Sequence, residues 1–279
     1  SPPGNRVTLR KRLPDLPADL PGRILQPLPA GDSAEARSLA LELNLAAEFQ
    51  RTFLPSREKL ASFEGVGVAY RFFPKQLVSG DFIDISRLEG GIYGLFISDI
   101  AGHGVAAALI SAILKVFFSL YARDVLSPQL LFEILNTEFY DYLNSGEYFT
   151  SFYGIYFQEE RRFIYTNANH PPPLLLRAGA DEPIPLESEG FFVGVFPDAE
   201  FEEREYRLEA GDRLLLYTDG VIESRDAEGR LFGLPRLVDS FRSGRDGAVE
   251  EGCRRIEADL KRFTGGRFDD DVTFALIEV

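Results

Sequence analysis

The sequence predicts an α+β protein, and three observations support this fold class. From residue 63 onward the chain carries runs of β-branched and aromatic residues, which favour strands. Two long helical stretches interrupt these runs, and a third helical stretch precedes the last strand. Strands and helices that are segregated along a chain are typical of α+β proteins. There is no internal repeat, and no domain boundary is visible after residue 63.

The first 33 residues predict an extended linker. They hold seven of the 17 prolines, and proline removes a backbone donor and restricts the residue before it. The basic cluster of Arg6, Arg10, Lys11 and Arg12 is interpreted as a solvated part of this linker.

Residues 34–56 predict a linker or signalling helix. Asp32 or Ser33 can cap its start, and Pro55 marks its end. Its apolar stripe consists of Leu39, Leu43, Ala46 or Ala47, Phe49, Phe53 and Leu54. The stripe could pack on the domain that follows or pair with a second copy as a short coiled coil, and the pattern is too short to decide.

Residues 57–279 predict one domain. Strands are expected at 66–73, 92–100, 150–157, 163–169, 172–177, 200–211, 212–220 and 271–279, and helices at about 105–122, 128–144 and 246–263. The apolar run 104–122 is about as long as a bilayer span. Lys115 lies in its middle, so we favour a helix buried in a soluble core over a membrane insertion.

The composition narrows the function classes. A net charge of -14 repels a polyanionic backbone, so general nucleic-acid binding is not expected. Cys253 is the single cysteine, which excludes an intrachain disulfide and fits a reducing cytoplasm. The start of the chain lacks the apolar core of a signal peptide. The chain has no methionine, so we expect it to be processed or cut from a longer protein.

Four aspartate positions have a context that suggests metal binding. Asp81, Asp99, Asp219 and the pair Asp270 and Asp271 each lie where an apolar strand meets a turn. Mg²⁺ and Mn²⁺ prefer carboxylate, carbonyl and water oxygens. Asp-Gly after a strand is also an ordinary turn signal, so the ordered set carries more weight than any one motif.

Six motifs in order resemble those of the SpoIIE/RsbU-type branch of the metal-dependent protein phosphatases, the PPM superfamily. They are LAAEFQRTFLPS, VSGDFID, ISDIAGHGVAAAL, TNANHPPPLLL, GDRLLLYTDGVIESRDAEGRLFG and FDDDVTFALIEV. The resemblance runs from about residue 39 to the C-terminus. It implies a four-layer αββα sandwich of two antiparallel sheets flanked by helices, preceded by the linker helix.

The resemblance also implies roles for these residues in holding two Mn²⁺ or Mg²⁺ ions. Asp99 and Asp219 would be direct ligands, joined by the backbone carbonyl of Ile100. Asp270 would complete the second site, and Asp81 would hold a metal directly or through water. These four aspartates are therefore the expected catalytic residues. Asp84 would at most contact the metal ligands without binding a metal itself. Asp271 would orient Asp270 or its loop.

Some residues depart from the family pattern. Ser79 and Asn169 stand where the family has glycines, and Ile83 where it commonly has a tyrosine. Ala101 stands where eukaryotic relatives can have a general-acid histidine, so the general acid is not identified. His103, His170 and Cys253 are expected to be structural.

The implied activity is hydrolysis of phosphoserine or phosphothreonine by a metal-bridged hydroxide. The implied substrate is a STAS-type antagonist of an anti-sigma factor in a bacterial signalling pathway. The helix at 34–56 could connect to an upstream sensor or activator, or form a homodimer. Two alternatives stay open: a non-enzymatic binding module, and a metal-dependent hydrolase of small phosphoesters.

Overall fold

A computed structural model describes residues 34–102, 104–142 and 147–279. The predicted linker at 1–33 and His103 lie outside the described residues. The described chain divides between Asn44 and Leu45 into two units, and the second, Leu45–Val279, contains every strand. The domain boundaries expected at residues 33 and 56 stay a prediction.

Seven helices and ten strands occur within the described residues. The helices are α1 (Ala34–Arg51), α2 (Arg57–Ala61), α3 (Val105–Tyr121), α4 (Pro128–Tyr142), α5 (Asp219–Glu223), α6 (Gly233–Ser243) and α7 (Val249–Thr264). The strands are β1 (Gly67–Phe73), β2 (Phe82–Glu89), β3 (Ile92–Ile100), β4 (Phe149–Phe157), β5 (Arg162–Ala168), β6 (Leu174–Leu176), β7 (Ile184–Pro185), β8 (Glu203–Arg207), β9 (Arg213–Tyr217) and β10 (Val272–Glu278).

The strands form two five-stranded sheets, and every pairing between these strands is antiparallel. The first sheet has the order β1-β10-β9-β6-β7, and the second has the order β2-β3-β4-β5-β8. The crossovers place β1 next to the C-terminal strand, with Gly67 opposite Glu278 and Phe73 opposite Val272. Strands that are distant in sequence therefore meet in the first sheet.

Three apolar clusters define the layers. The cluster between the sheets includes Ile85, Ile97, Leu216 and Ile277. A second cluster packs α3 and α4 on the second sheet, and a third packs α6 and α7 on the first sheet. Strands that are buried on both faces, such as β4 and β9, read as nearly continuous apolar runs. The predicted α+β sandwich of two antiparallel sheets flanked by helices is confirmed.

The helix α3 is apolar along most of its length but is only partly buried. Ala107, Ser111, Leu114 and Phe118 face the interior, while Val105, Leu109, Ile113, Val116 and Leu120 are exposed. No helix in the described part of the chain has both the length and the hydropathy that a bilayer crossing requires.

Candidate active site

Asp81 lies in the tight connection that leads into β2, and its side chain is buried. The Thr218 hydroxyl donates to its carboxylate over 2.9 Å, and the Asp81 amide donates to the Ser79 hydroxyl. Thr218 follows β9, 137 residues away in the chain. The pairing of β9 with β10 and the packing of the two sheets therefore decide where Asp81 sits.

Asp99 and Ile100 end β3, an interior strand of the second sheet that lies between β2 and β4. A Cβ atom at Gly80 would stand 3.0 Å from the Ile100 carbonyl oxygen and 3.1 Å from the Ala107 side chain. A side chain at the residue before Asp81 would therefore fit against Ile100 only if its neighbours shifted by a few tenths of an ångström. This contact brings the Asp81 turn and the Ile100 carbonyl together.

Asp219 begins the short helix α5 directly after β9. At the next residue, Gly220, a Cβ atom would stand 1.9 Å from the Asp271 carbonyl oxygen. No other residue type fits there without moving the backbone, so Gly220 holds the Asp219 turn against the segment before β10.

Asp270 and Asp271 differ in their surroundings. Asp270 is exposed, whereas Asp271 is buried. The Asp271 carboxylate accepts the amide of Lys75 at 2.7 Å and the amide of Gly80 at 2.8 Å. Its own amide donates to Asp270. Asp271 thus fastens the connection between β1 and β2 to the segment before β10, which goes beyond the expected role of orienting Asp270 or its loop.

The carboxylates lie close enough to repel one another. Burial raises the pKa of Asp99 to about 9, and repulsion from Asp81, Asp219 and Asp270 adds to this rise. Burial also raises the pKa of Asp81 well above its usual range, with repulsion from Asp271 and Asp219 adding to it. The pKa of Asp219 is raised by burial first, while contact with the Asp99 carboxyl lowers it.

The donor chemistry of this cluster fits a hard divalent cation. It combines carboxylates with the Ile100 carbonyl, and a cation among the carboxylates would offset the repulsion that raises their pKa values. The donor chemistry of the cluster therefore fits a divalent cation. Nevertheless, within residues 34–102, 104–142 and 147–279 no three Asp, Glu, His or Cys side chains already stand in a metal-binding geometry.

Two polar contacts behind the site were not anticipated. The buried side chain of Gln50, on α1, donates to the Ser79 carbonyl and the Ser111 hydroxyl, and accepts the Ser79 amide. Asp84 is buried and forms an ion pair with Lys115 of α3. The signals available in the sequence were a lone glutamine and a lone lysine on otherwise apolar helical faces.

The environment of His170 accords with the expected structural role. Its Nδ1 lies 2.8 Å from the Thr150 hydroxyl, and Asn167 makes two hydrogen bonds with its backbone. Burial lowers its pKa to about 3, so the ring is neutral. Asn169, which replaces the family's glycine, adopts a φ of 54°, a left-handed conformation that asparagine tolerates.

Comparison with known proteins identifies the family. The family model described as Stage II sporulation protein E (SpoIIE) matches residues 89–279. The chain belongs to the SpoIIE family. This confirms the predicted SpoIIE/RsbU-type PPM phosphatase domain and its enzyme class, a metal-dependent protein serine/threonine phosphatase.

Two curated relatives from Bacillus subtilis (strain 168) are similar to this SpoIIE-family chain. Phosphoserine phosphatase RsbU is 25% identical over 238 residues, covering 85% of this chain and 69% of RsbU. Phosphoserine phosphatase RsbP is 29% identical over 186 residues, covering 65% of this chain and 45% of RsbP. The chain therefore spans less than half of RsbP.

Solved structures share the fold. The SiaA-PP2C domain of Pseudomonas aeruginosa has a TM-score of 0.79 at 21% identity, covering 88% of this chain and 99% of that domain. RsbX in complex with magnesium has a TM-score of 0.59 at 20% identity, covering 76% of this chain and 94% of RsbX. At these identities the likeness concerns the fold.

Proposed function

We propose that this chain hydrolyses phosphoserine or phosphothreonine on a protein substrate, using two Mn²⁺ or Mg²⁺ ions. Asp81, Asp99, Asp219 and Asp270 would hold the ions together with the Ile100 carbonyl. The observation that carries this proposal is the clustering of carboxylates around the half-buried Asp99 at the end of β3, where Asp81, Asp219, Asp270 and Asp271 all lie close enough to repel it. When bound, the ions supply an activated water and neutralise charge on the phosphoryl oxygens.

The residues of the chain position the donor atoms. Thr218 and Ser79 hold the Asp81 turn, while Asp271 ties that turn to the segment before β10. Asp99 and Asp219 lie within hydrogen-bond distance of each other, so two of the proposed ligands are already adjacent. Gly80 and Gly220 leave the backbone room that this site needs.

Direct attack by water on phosphorus fits the available side chains. Cys253 is buried and burial raises its pKa to about 12, so it is not a thiolate nucleophile near neutral pH. His170 is buried and hydrogen-bonded. Hydrolysis would therefore leave no phosphoenzyme, and trapping a covalent phosphoenzyme would contradict this mechanism.

A STAS-type phosphoprotein in a bacterial partner-switching pathway is the substrate that we infer. The support is the similarity to RsbU and RsbP, both named phosphoserine phosphatases. The substrate must approach a chain with a net charge of -14, so bound cations would provide the local attraction for its phosphate. We expect this activity to operate in the cytoplasm.

Regulation through α1 is part of the proposal. Leu45 and Phe49 on α1 are exposed, as is the outer face of α3, and exposed apolar patches mark interaction surfaces. Either a homodimer or an upstream sensor could cover them. Gln50 connects α1 to the Asp81 turn through Ser79, which offers a route from such a partner to the site. Removal of residues 1–56 should change activity or oligomeric state.

The deciding experiment measures hydrolysis of a phosphoserine peptide and of para-nitrophenyl phosphate while Mn²⁺ is titrated, with EDTA as the blank. Asp219→Ala and Asp99→Ala should abolish turnover. Asp246→Ala is the matched control, because the Asp246 side chain is 96% exposed on a distant loop and its loss changes the net charge equally. Near-normal turnover by either site variant at saturating Mn²⁺ would refute the ligand assignment.

The same preparation separates the two alternatives. A binding module would bind no metal in a calorimetric titration and show no turnover. A small-phosphoester hydrolase would prefer a nucleotide over the phosphopeptide. A phosphatase that is active only with its partner bound would differ from a binding module, because it would bind metal more tightly in the complex with that partner.

A further inference from the structure

A groove of about 1050 Å³ runs along the outer edge of β1. Its floor is the whole of β1, from Gly67 to Phe73. One wall is α7, which packs on the outer face of the first sheet through Val249. The other wall is the segment from Arg51 to Val66, whose apolar residues belong to the cluster between the two sheets. We call this feature the edge groove.

The floor of the edge groove is an unpaired sheet edge. Within the part of the chain that the structure describes, β1 pairs with β10 alone and is the first strand of its sheet. Apart from the Tyr70 carbonyl, which accepts the Arg71 guanidinium at 2.9 Å, such an edge presents backbone donors and acceptors that a further strand can pair with. The open edge lies between two walls, so only a narrow, extended chain can reach it.

The edge groove is cationic in a strongly acidic protein. Four arginines line it, Arg51, Arg57, Arg71 and Arg254, against the two glutamates Glu250 and Glu257. Arg71 binds both glutamates, at 2.9 Å and 2.6 Å. Arg51 and Arg57 are exposed and form no ion pair with any residue that the structure describes.

Both free arginines line the groove beside β1. Arg57 lies close enough to the hydroxyl of Tyr70, the middle residue of β1, for its positive charge to lower the pKa of that hydroxyl against the larger opposing effect of burial. The Tyr70 hydroxyl itself donates to the Pro55 carbonyl over 3.0 Å, which holds the wall against the strand. An occupant of the groove would thus meet two arginines that lack a partner carboxylate.

We propose that the edge groove binds an acidic, extended segment of a partner protein, which adds to β1 as a sixth strand of the first sheet. Main-chain hydrogen bonds to β1 would supply much of the affinity, and alternate side chains would contact the walls. At about 3.3 Å per residue, the seven residues of β1 accommodate a segment of about seven residues. Glutamates or aspartates on that segment pair with Arg51 and Arg57.

The charges disfavour a second copy of this chain as the occupant. Its own open edge is β1, with the sequence GVAYRFF, which carries an arginine and no acidic residue. Pairing β1 with β1 would bring the arginines of two grooves together, in two chains that each carry a net charge of -14. An acidic partner segment meets the groove with complementary charge instead.

The test uses the complete chain and a fluorescein-labelled ten-residue peptide of alternating valine and glutamate. Fluorescence anisotropy should show binding that is at least tenfold tighter than that of the matching valine and lysine peptide. The double variant Arg51→Glu/Arg57→Glu should weaken binding of the acidic peptide at least tenfold. The double variant Arg123→Glu/Arg255→Glu is the matched control: both arginines are exposed, neither lines the groove, and the net charge changes equally. Its binding of the acidic peptide should stay within twofold of wild type.

Hydrogen exchange tests the strand addition itself. Amides of residues 67–73 should exchange more slowly when the acidic peptide is bound. Binding that leaves these amides unchanged, equal binding of the two peptides, no binding up to 1 mM, or dimerisation through β1 in sedimentation would each overturn the proposal. Mn²⁺-dependent turnover of para-nitrophenyl phosphate should be unchanged in the groove variants, so the outcome is independent of the proposed phosphatase activity.

Discussion

Thr218 offers the most informative single substitution, because one hydroxyl serves two buried groups. It is fully buried, donates to the Asp81 carboxylate over 2.9 Å, and accepts the Thr273 amide over 3.1 Å. Thr218→Val keeps the shape of the side chain and removes both hydrogen bonds. No sequence pattern singles out this threonine, which precedes the predicted ligand Asp219.

The structure sets the size of the effect. A buried polar group that loses its partner costs about 1–3 kcal/mol, and here two groups lose theirs. We therefore expect Thr218→Val to lower the free energy of unfolding by at least about 2 kcal/mol. Loss of the group that orients a ligand typically weakens metal binding by about 10–100-fold, and we expect a loss of this order in Mn²⁺ affinity.

Urea unfolding in EDTA and calorimetric Mn²⁺ titration measure the two effects separately. Thr166→Val is the matched control, since Thr166 is equally buried but its hydroxyl has no hydrogen-bond partner; this substitution should be neutral or stabilising. Thr218→Ser should retain most of the Mn²⁺ affinity. If Thr218→Val and Thr166→Val had equal stability and equal Mn²⁺ affinity, the assigned role of the Thr218 hydroxyl would be wrong.

Three further predictions concern the surroundings of the site. Gly220→Ala places a Cβ atom 1.9 Å from the Asp271 carbonyl oxygen, and the displacement of about 1 Å that follows should reduce kcat/KM about 100-fold. Lys115→Met leaves the buried Asp84 carboxylate without its main partner, so urea unfolding should show a loss of about 3 kcal/mol. Burial lowers the pKa of His170 to about 3, below its value of about 6.5 in the unfolded chain. The unfolded chain therefore binds a proton more readily, so the stability that is present above pH 6.5 is lost as the pH falls. The free energy of unfolding should fall by about 2 kcal/mol between pH 6.5 and pH 5.0.

Each of these predictions has a control. Gly67→Ala meets only ordinary contacts at 3.4 Å from Val249, and its kcat/KM should stay near the wild-type value; an equal loss in both glycine variants would count against the steric argument. The double variant Asp84→Asn/Lys115→Met should be more stable than Lys115→Met alone. For His170, the slope of stability between pH 6.5 and pH 5.0 should decrease in His170→Gln, and an unchanged slope would contradict the assignment.

The sequence was sufficient for the features that depend on local patterns. Strand and helix periodicity predicted α3, α4, α7 and most strands within a few residues, because burial of one face or both faces repeats along a short segment. It did not predict α2, α5, α6, β2 or β7. The strand β2 reads FIDISRLE, where the buried Asp84 interrupts the apolar pattern that would have revealed it.

The order of the motifs was sufficient to identify the family and to nominate Asp81, Asp99, Asp219 and Asp270. The partners of these residues depended on the tertiary structure. Thr218 reaches Asp81 across 137 residues, and Asp271 reaches the Gly80 amide across 191 residues.

The edge groove could not be predicted from the sequence either, because its two walls come from segments near opposite ends of the domain. Periodicity reports which side of a segment is buried, but only the pairing of distant strands decides which polar groups meet there and which edge of a sheet stays open.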